Sequence, residues 1–145
     1  MDAFEQVVEE ILWREGYWVR TSVKVELTRE EKIAIELPSS PRWELDVVAY
    51  KARDNHLKVV ECKSYLDSPG VRLRGFDLSN EKDADKFKLF TRPKLRDVVF
   101  NRLGLQLAAS GTCLSDPKVT LCLACGHIAS ATDRKGLQEH FAKEG

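Results

Sequence analysis

Glu61, Cys62 and Lys63 close the apolar part of the stretch VVECKSYLD, residues 59–67. The valines mark a strand, and strand side chains alternate between faces. Glu61 and Lys63 therefore share one face, and the Cys62 thiol points to the other. Asp46 lies upstream in WELDVVAY, with fourteen residues between it and Glu61. An acid and a base at the end of one strand, with a second acid on a neighbouring strand, are the groups needed to hold a hard cation and to position a water beside it.

Whether these groups meet depends on how the two strands pair. ARDN, residues 52–55, supplies turn residues between β-rich flanks, so residues 44–50 and 57–63 read as a hairpin. A loop at 52–55 sets Asp46 opposite Glu61, and a two-residue loop at Asp54-Asn55 sets it opposite Lys63. Both registers gather Glu44, Asp46, Val48 and Tyr50 on the face that carries Leu57, Val59, Glu61 and Lys63. A three-residue loop would split the faces. Carboxylates clustered with one ammonium repel one another unless a cation joins them. The bland alternative is a solvated sheet end with weak surface ion pairs.

The elements around this hairpin follow from pattern. Ala3, Phe4, Val7, Val8, Ile11 and Leu12 form the stripe of a helix over 2–15, stopped at Gly16. Residues 17–27 alternate as a first strand. Thr28 and Glu31 have capping-box spacing for a short helix, and PSSPR then breaks the chain. Residues 64–80 read as an extended loop and 81–90 as a short helix. Thr91 is expected to cap a helix reaching about residue 109, with Pro93 in its first turn and Leu95, Val98, Val99, Leu103 and Leu107 inward. KVTLCLAC, residues 118–125, reads as a strand covered on both faces, and Thr132 as the cap of a last helix with Leu137 and Phe141 inward. A hairpin followed by a helical crossover to a further strand predicts an α/β fold with a mixed sheet and helices on both faces, in one domain over residues 1–145.

Asp46, fourteen residues and then Glu61-Cys62-Lys63 resembles the D…E-x-K core of the PD-(D/E)xK nuclease superfamily. FE in the first helix, then GYWV, ELDVVAY and VVECK, is similar to the type IV restriction enzyme and archaeal Holliday-junction resolvase branch. The resemblance covers residues 4–65 and is weak beyond them; Leu45 stands where the named pattern has Pro. It implies a restriction-endonuclease-like fold with an α-β-β-β-α-β core and a Mg²⁺- or Mn²⁺-dependent endonuclease acting on DNA. It implies Asp46, Glu61 and the Cys62 carbonyl as metal ligands, Lys63 as the residue that positions the attacking water, and Glu5 as a first-helix acid near the metal. Helical geometry sets Glu5 about 100° from the centre of the apolar stripe, at the edge of the buried face. An ordinary boundary glutamate fits there as well. Glu44 either joins the site or points to solvent.

Arg72, Arg74, Lys86, Lys88, Arg92, Lys94 and Arg96 are the expected phosphate contacts, with Lys82 and Arg102 in the same basic stretch. A solvated helical face is the competing reading. Tyr65 and Phe76 either stack on a base or pack the loop, and packing is preferred. Cys113, Cys122, Cys125 and His127 are the only zinc-like set, but an apolar strand is a poor place for a zinc knuckle. His56 and His140 read as ordinary turn and helix residues.

Twenty-three acidic and twenty-three basic residues cancel, which argues against a protein that coats nucleic acid. A small basic footprint would need a homodimer or a partner protein to widen its contact, above all on branched DNA. No apolar run approaches the roughly 20 residues of a membrane helix, and MDAFEQVVEEILWREG is too acidic for an export signal. A cytoplasmic protein with reduced cysteines is expected. The rivals to a nuclease are a non-cutting nucleic-acid-binding module of the same fold and a zinc-stabilised interaction domain.

Overall fold

Asp2 starts the first helix. Its side chain accepts the Glu5 N–H at 2.8 Å while Glu5 accepts the Asp2 N–H at 3.1 Å, a reciprocal cap. The computed structural model describes residues 2–37, 42–65 and 68–144. Residues 38–41 of the expected break and 66–67 of the expected loop lie outside them. The chain falls into two compact units, one of residues up to Cys62 plus Asp97–Ala124, the other of Lys63–Arg96 plus residues from Cys125 onward.

The first unit holds the sheet. Helix α1 (Ala3–Arg14) leads into β1 (Trp18–Val25), and α2 (Arg29–Ala34) follows, capped by Thr28 and Glu31 as their spacing predicts. Strands β2 (Trp43–Lys51) and β3 (His56–Lys63) form the antiparallel hairpin. Its loop is 52–55, a single 3₁₀ turn closed by Asn55 at φ 44°, so Lys51 pairs with His56 and Val47 with Val60. That is the first of the two expected registers, and the ladder stops at Val47 and Val60, one residue short of Asp46 and Glu61. The fourth strand, β4 (Lys118–Cys125), is next to β3 in the order β1-β2-β3-β4. The Lys118 N–H reaches the Asn55 carbonyl and the Gly126 N–H reaches the Lys63 carbonyl, so β4 advances with β3 and the sheet is mixed.

One face of the sheet is sealed by α1. Val8 and Leu12 pack with Tyr17, Val47, Ala49 and Val60, and Phe4, Val19, Cys62 and Cys122 border this cluster. The Cys62 thiol thus points toward α1, as alternation requires. Strand β4 departs from expectation. None of its residues is buried, because it lies at the sheet edge. Its apolar run was read as covered on both faces; a half-covered edge strand gives the same composition. Residues 97–109 of α5 (Pro93–Ala109) place Val99 and Leu103 in the core. Gln106 ties them to the edge strand, donating to the Lys24 carbonyl and accepting the Glu26 N–H.

In the second unit the expected helix over 81–90 is divided. Helix α3 (Glu81–Ala84), a 3₁₀ turn at Asp85–Phe87 and α4 (Lys88–Thr91) replace it. Phe87 leaves helical geometry at φ −130°, ψ 49° and turns inward onto Phe76, with ring centroids 4.3 Å apart. Phe76 also meets Phe90 and Phe141, so it packs the loop. Thr91 is not the cap of the long helix. It ends α4, and its hydroxyl donates to the Ala84 and Phe87 carbonyls. Ser130, not Thr132, caps α6 (Ala131–Glu144) by accepting the Asp133 N–H. The 68–71 loop is pinned by a parallel bridge, with the Val71 N–H on the His127 carbonyl and the Ala129 N–H on the Val71 carbonyl, both at 2.9 Å. Gly70 permits this approach: its φ is +95°, and a Cβ there would lie 2.9 Å from the Ala129 nitrogen.

Candidate functional site

The regular ladder between β2 and β3 ends at Val47 and Val60. Beyond it, Asp46 Oδ2 accepts the Cys62 N–H at 2.8 Å. The ladder to β1 is also interrupted here. It runs from Trp18 opposite Tyr50 to Thr21 opposite Val47 and resumes at Val23 opposite Leu45. Ser22, at the skipped rung, has φ 52°. Asp46 is therefore passed over by both registers, and its side chain serves the backbone of β3 in place of a main-chain partner. The β1–β2 register is the same on both sides of this break, so no residue is inserted.

Cys62 records the local charge. Burial pushes its thiol up, and the carboxylates of Asp46, Glu5, Glu61 and Asp2 push it further, to about 12. Acids from both strands of the hairpin and from the start of α1 thus act on one atom. Asp46 and Glu61 are half-buried. Their donors are hard oxygens, as is the Cys62 carbonyl, and such a set fits Mg²⁺ or Mn²⁺ in kind. Among the described residues, no group of three or more His, Cys, Asp or Glu side chains is arranged to hold a metal ion. The acid pair would need main-chain and water oxygens to complete a shell.

Glu5 is half-buried on α1 and is already engaged with Asp2 in the helix cap. Asp2 itself was missed in the sequence, although D-x-x-E before an apolar run is a readable capping signal. Glu44 is exposed on β2 opposite Lys24. Lys63 ends β3. In the second unit its carbonyl accepts the Gly126 N–H at 3.0 Å, and its Nζ lies 5.9 Å from the centroid of the Phe87 ring.

The expected phosphate contacts all belong to the second unit. Arg72, Arg74 and Lys86 line one groove of about 320 Å³ together with Phe87 and Tyr65. Asp83 binds both Arg74 and Lys86. Desolvation opposes the Asp83 charge, but Arg74 and Lys86 outweigh it and hold the carboxyl below its usual range. Arg92 pairs with Asp85 at 2.8 Å, and the Arg96 guanidinium faces the Leu89 and Phe90 carbonyls at 3.4 and 3.5 Å. These two arginines are engaged in holding helix ends. Lys94 is exposed and Lys88 half-buried.

The cysteines carry no disulfide. Cys122 and Cys125 are three apart on one strand, hence on opposite faces, and cannot converge on a metal. Burial pushes all four thiols above the usual range, the reverse of what a reactive or soft-metal cysteine needs. His56 Nε2 lies 2.7 Å from the Thr120 hydroxyl and reads as structural. No helix is long and apolar enough to cross a membrane among the described residues. No family model, no curated protein and no solved structure matches this chain.

Proposed function

We propose that this protein is a Mg²⁺- or Mn²⁺-dependent endonuclease that hydrolyses DNA phosphodiester bonds, on a sheet of restriction-endonuclease-like arrangement. The observation that carries this reading is the Asp46 carboxylate, turned past the end of the β2–β3 ladder onto the N–H of Cys62, the residue between Glu61 and Lys63. In this reading Asp46 and Glu61 hold the ion, with the Cys62 carbonyl as a further donor. An ion held there would supply charge stabilisation to the phosphate oxygens and lower the pKa of a water. Lys63, two residues beyond Glu61 on the same strand, donates to the attacking water oxygen and fixes it in line. That oxygen would bond to phosphorus as its water gives one proton to solvent, one P–O ester bond would break, and the leaving oxygen would take a proton from solvent, giving a phosphomonoester and a free hydroxyl. The Cys62 N–H restrains Asp46 to one orientation, leaving its second oxygen for the ion. Glu5 adds negative field and is kept in place by the α1 cap.

The test is a cleavage panel of supercoiled plasmid, single-stranded, flap and four-way-junction DNA with Mg²⁺, Mn²⁺ or EDTA. Cleavage that needs the divalent ion and disappears in Lys63→Ala supports the enzyme. DNA binding without cleavage under any divalent ion leaves a non-cutting module of the same fold.

A further inference from the structure

We infer that the groove of the second unit is a seat for an unpaired nucleotide, so that the DNA this protein engages carries a single-stranded segment. The inference extends the nuclease reading by naming its substrate class, and the groove itself stands on separate residues. Its volume, about 320 Å³, is at the small end for a ligand site and too small to admit a duplex. Among the described residues that line it, three cations, Arg72, Arg74 and Lys86, stand with one acid, Asp83; Asp133 lies near enough for Arg72 and Arg74 to help hold its carboxyl down. Asp83 is largely covered while the Arg74 and Lys86 side chains stay more than half exposed, so the acid fixes their stems and leaves them open to an anion. A phosphate suits that end.

The rest of the groove wall is apolar or aromatic: Tyr65, Pro69, Val71 and Phe87. Tyr65 has φ 47°, an uncommon conformation for a non-glycine residue, and its carbonyl accepts both the N–H and the hydroxyl of Ser68. The bridge of Val71 to the 127–129 segment fixes the far side of the same loop. Val71 and Phe87 are buried, so the aromatic surface offered to a base is Tyr65, and a tyrosine beside a cationic end suits a nucleotide whose base is unstacked from its neighbours. The Phe87 ring that lines the groove also lies under the Lys63 ammonium, so an occupant of the groove would sit beside the proposed water-positioning residue.

The experiment measures fluorescence anisotropy of labelled oligo-dT and of a blunt duplex of equal length, with the full chain in EDTA. EDTA separates binding from cleavage. Oligo-dT is expected to bind at least about tenfold more tightly than duplex, and Tyr65→Ala to weaken it by about tenfold. Arg72→Ala should flatten the slope of log affinity against log salt by about 0.7. Lys135→Ala, an exposed site outside the groove, should change nothing. Equal affinity for the two DNAs, or oligo-dT binding unaffected by both Tyr65→Ala and Arg72→Ala in folded protein, overturns the inference. Preferential oligo-dT binding without hydrolysis under Mg²⁺ would retain the groove and discard the nuclease reading.

Discussion

The carboxylate of Asp46 accepts the backbone N–H of Cys62 at 2.8 Å, one step past the last regular rung of the β2–β3 ladder. A side chain that completes the end of a ladder and is also proposed to hold an ion has two separable roles. Asn at position 46 keeps an oxygen for the Cys62 N–H, so Asp46→Asn should shift stability by less than about 0.5 kcal/mol. Asp46→Ala leaves the N–H without that acceptor and should cost about 1–2 kcal/mol. Both should lower cleavage by at least about 100-fold. Urea unfolding alongside plasmid nicking checks the pair. Equal stability losses in the two variants would mean the bond does not hold the end of the ladder.

Glu5 separates in a similar way. A glutamine at the third helical position preserves a capping box, whereas alanine removes it. Glu5→Ala should destabilise the protein by about 1 kcal/mol, and Glu5→Gln by much less. If Glu5 contributes negative field to the site, Glu5→Gln lowers Mn²⁺ affinity without moving the unfolding midpoint. Unchanged affinity in that variant would confine Glu5 to the cap.

His56 gives a pH dependence with a definite sign. Burial lowers its pKa from 6.5, and Lys118, Lys58 and Lys51 add to this against Asp54. The unfolded chain therefore takes up a proton before the folded one. The contribution of His56 to stability is full above about pH 6.5 and is lost as pH falls through the folded pKa. An NMR titration should place His56 below 6.5, and Lys58→Met should move it upward. A His56 resonance titrating above 6.5 contradicts this arrangement.

Gly70 tests the loop that carries the groove. Its φ of +95° and the 2.9 Å approach to the Ala129 nitrogen leave no room for a methyl group. Gly70→Ala should cost about 1–3 kcal/mol, with faster amide exchange at Val71 and Ala129 than in wild type. Unaltered exchange at both amides would show that the bridge does not depend on glycine.

What could be read from the sequence was mainly local. ARDN marked the hairpin turn and left two registers open; the loop at 52–55 is the one found, with Lys51 opposite His56 and Val47 opposite Val60. Thr28 and Glu31 announced their own cap. The helix over 81–90 was divided by something sequence periodicity does not contain, the pull of Phe87 into an aromatic cluster with Phe76. Thr91 and Thr132 looked like caps because threonine suits that position, yet Thr91 bonds backward and Ser130 lies where α6 begins. Strand β4 was misjudged because apolar composition reports what a residue tolerates, not how many layers cover it. Within the site, the turn of the Cys62 side chain toward α1 was legible from alternation. The Asp46–Cys62 bond was not, since it depends on where the ladder stops.

The most direct measurement is a calorimetric Mn²⁺ titration of wild type, Asp46→Asn and Glu61→Gln. The account predicts one site in wild type and a loss of at least about tenfold in affinity in each variant. Identical titrations for all three proteins, in a preparation that cuts DNA, would place the ion elsewhere and contradict the assignment of Asp46 and Glu61.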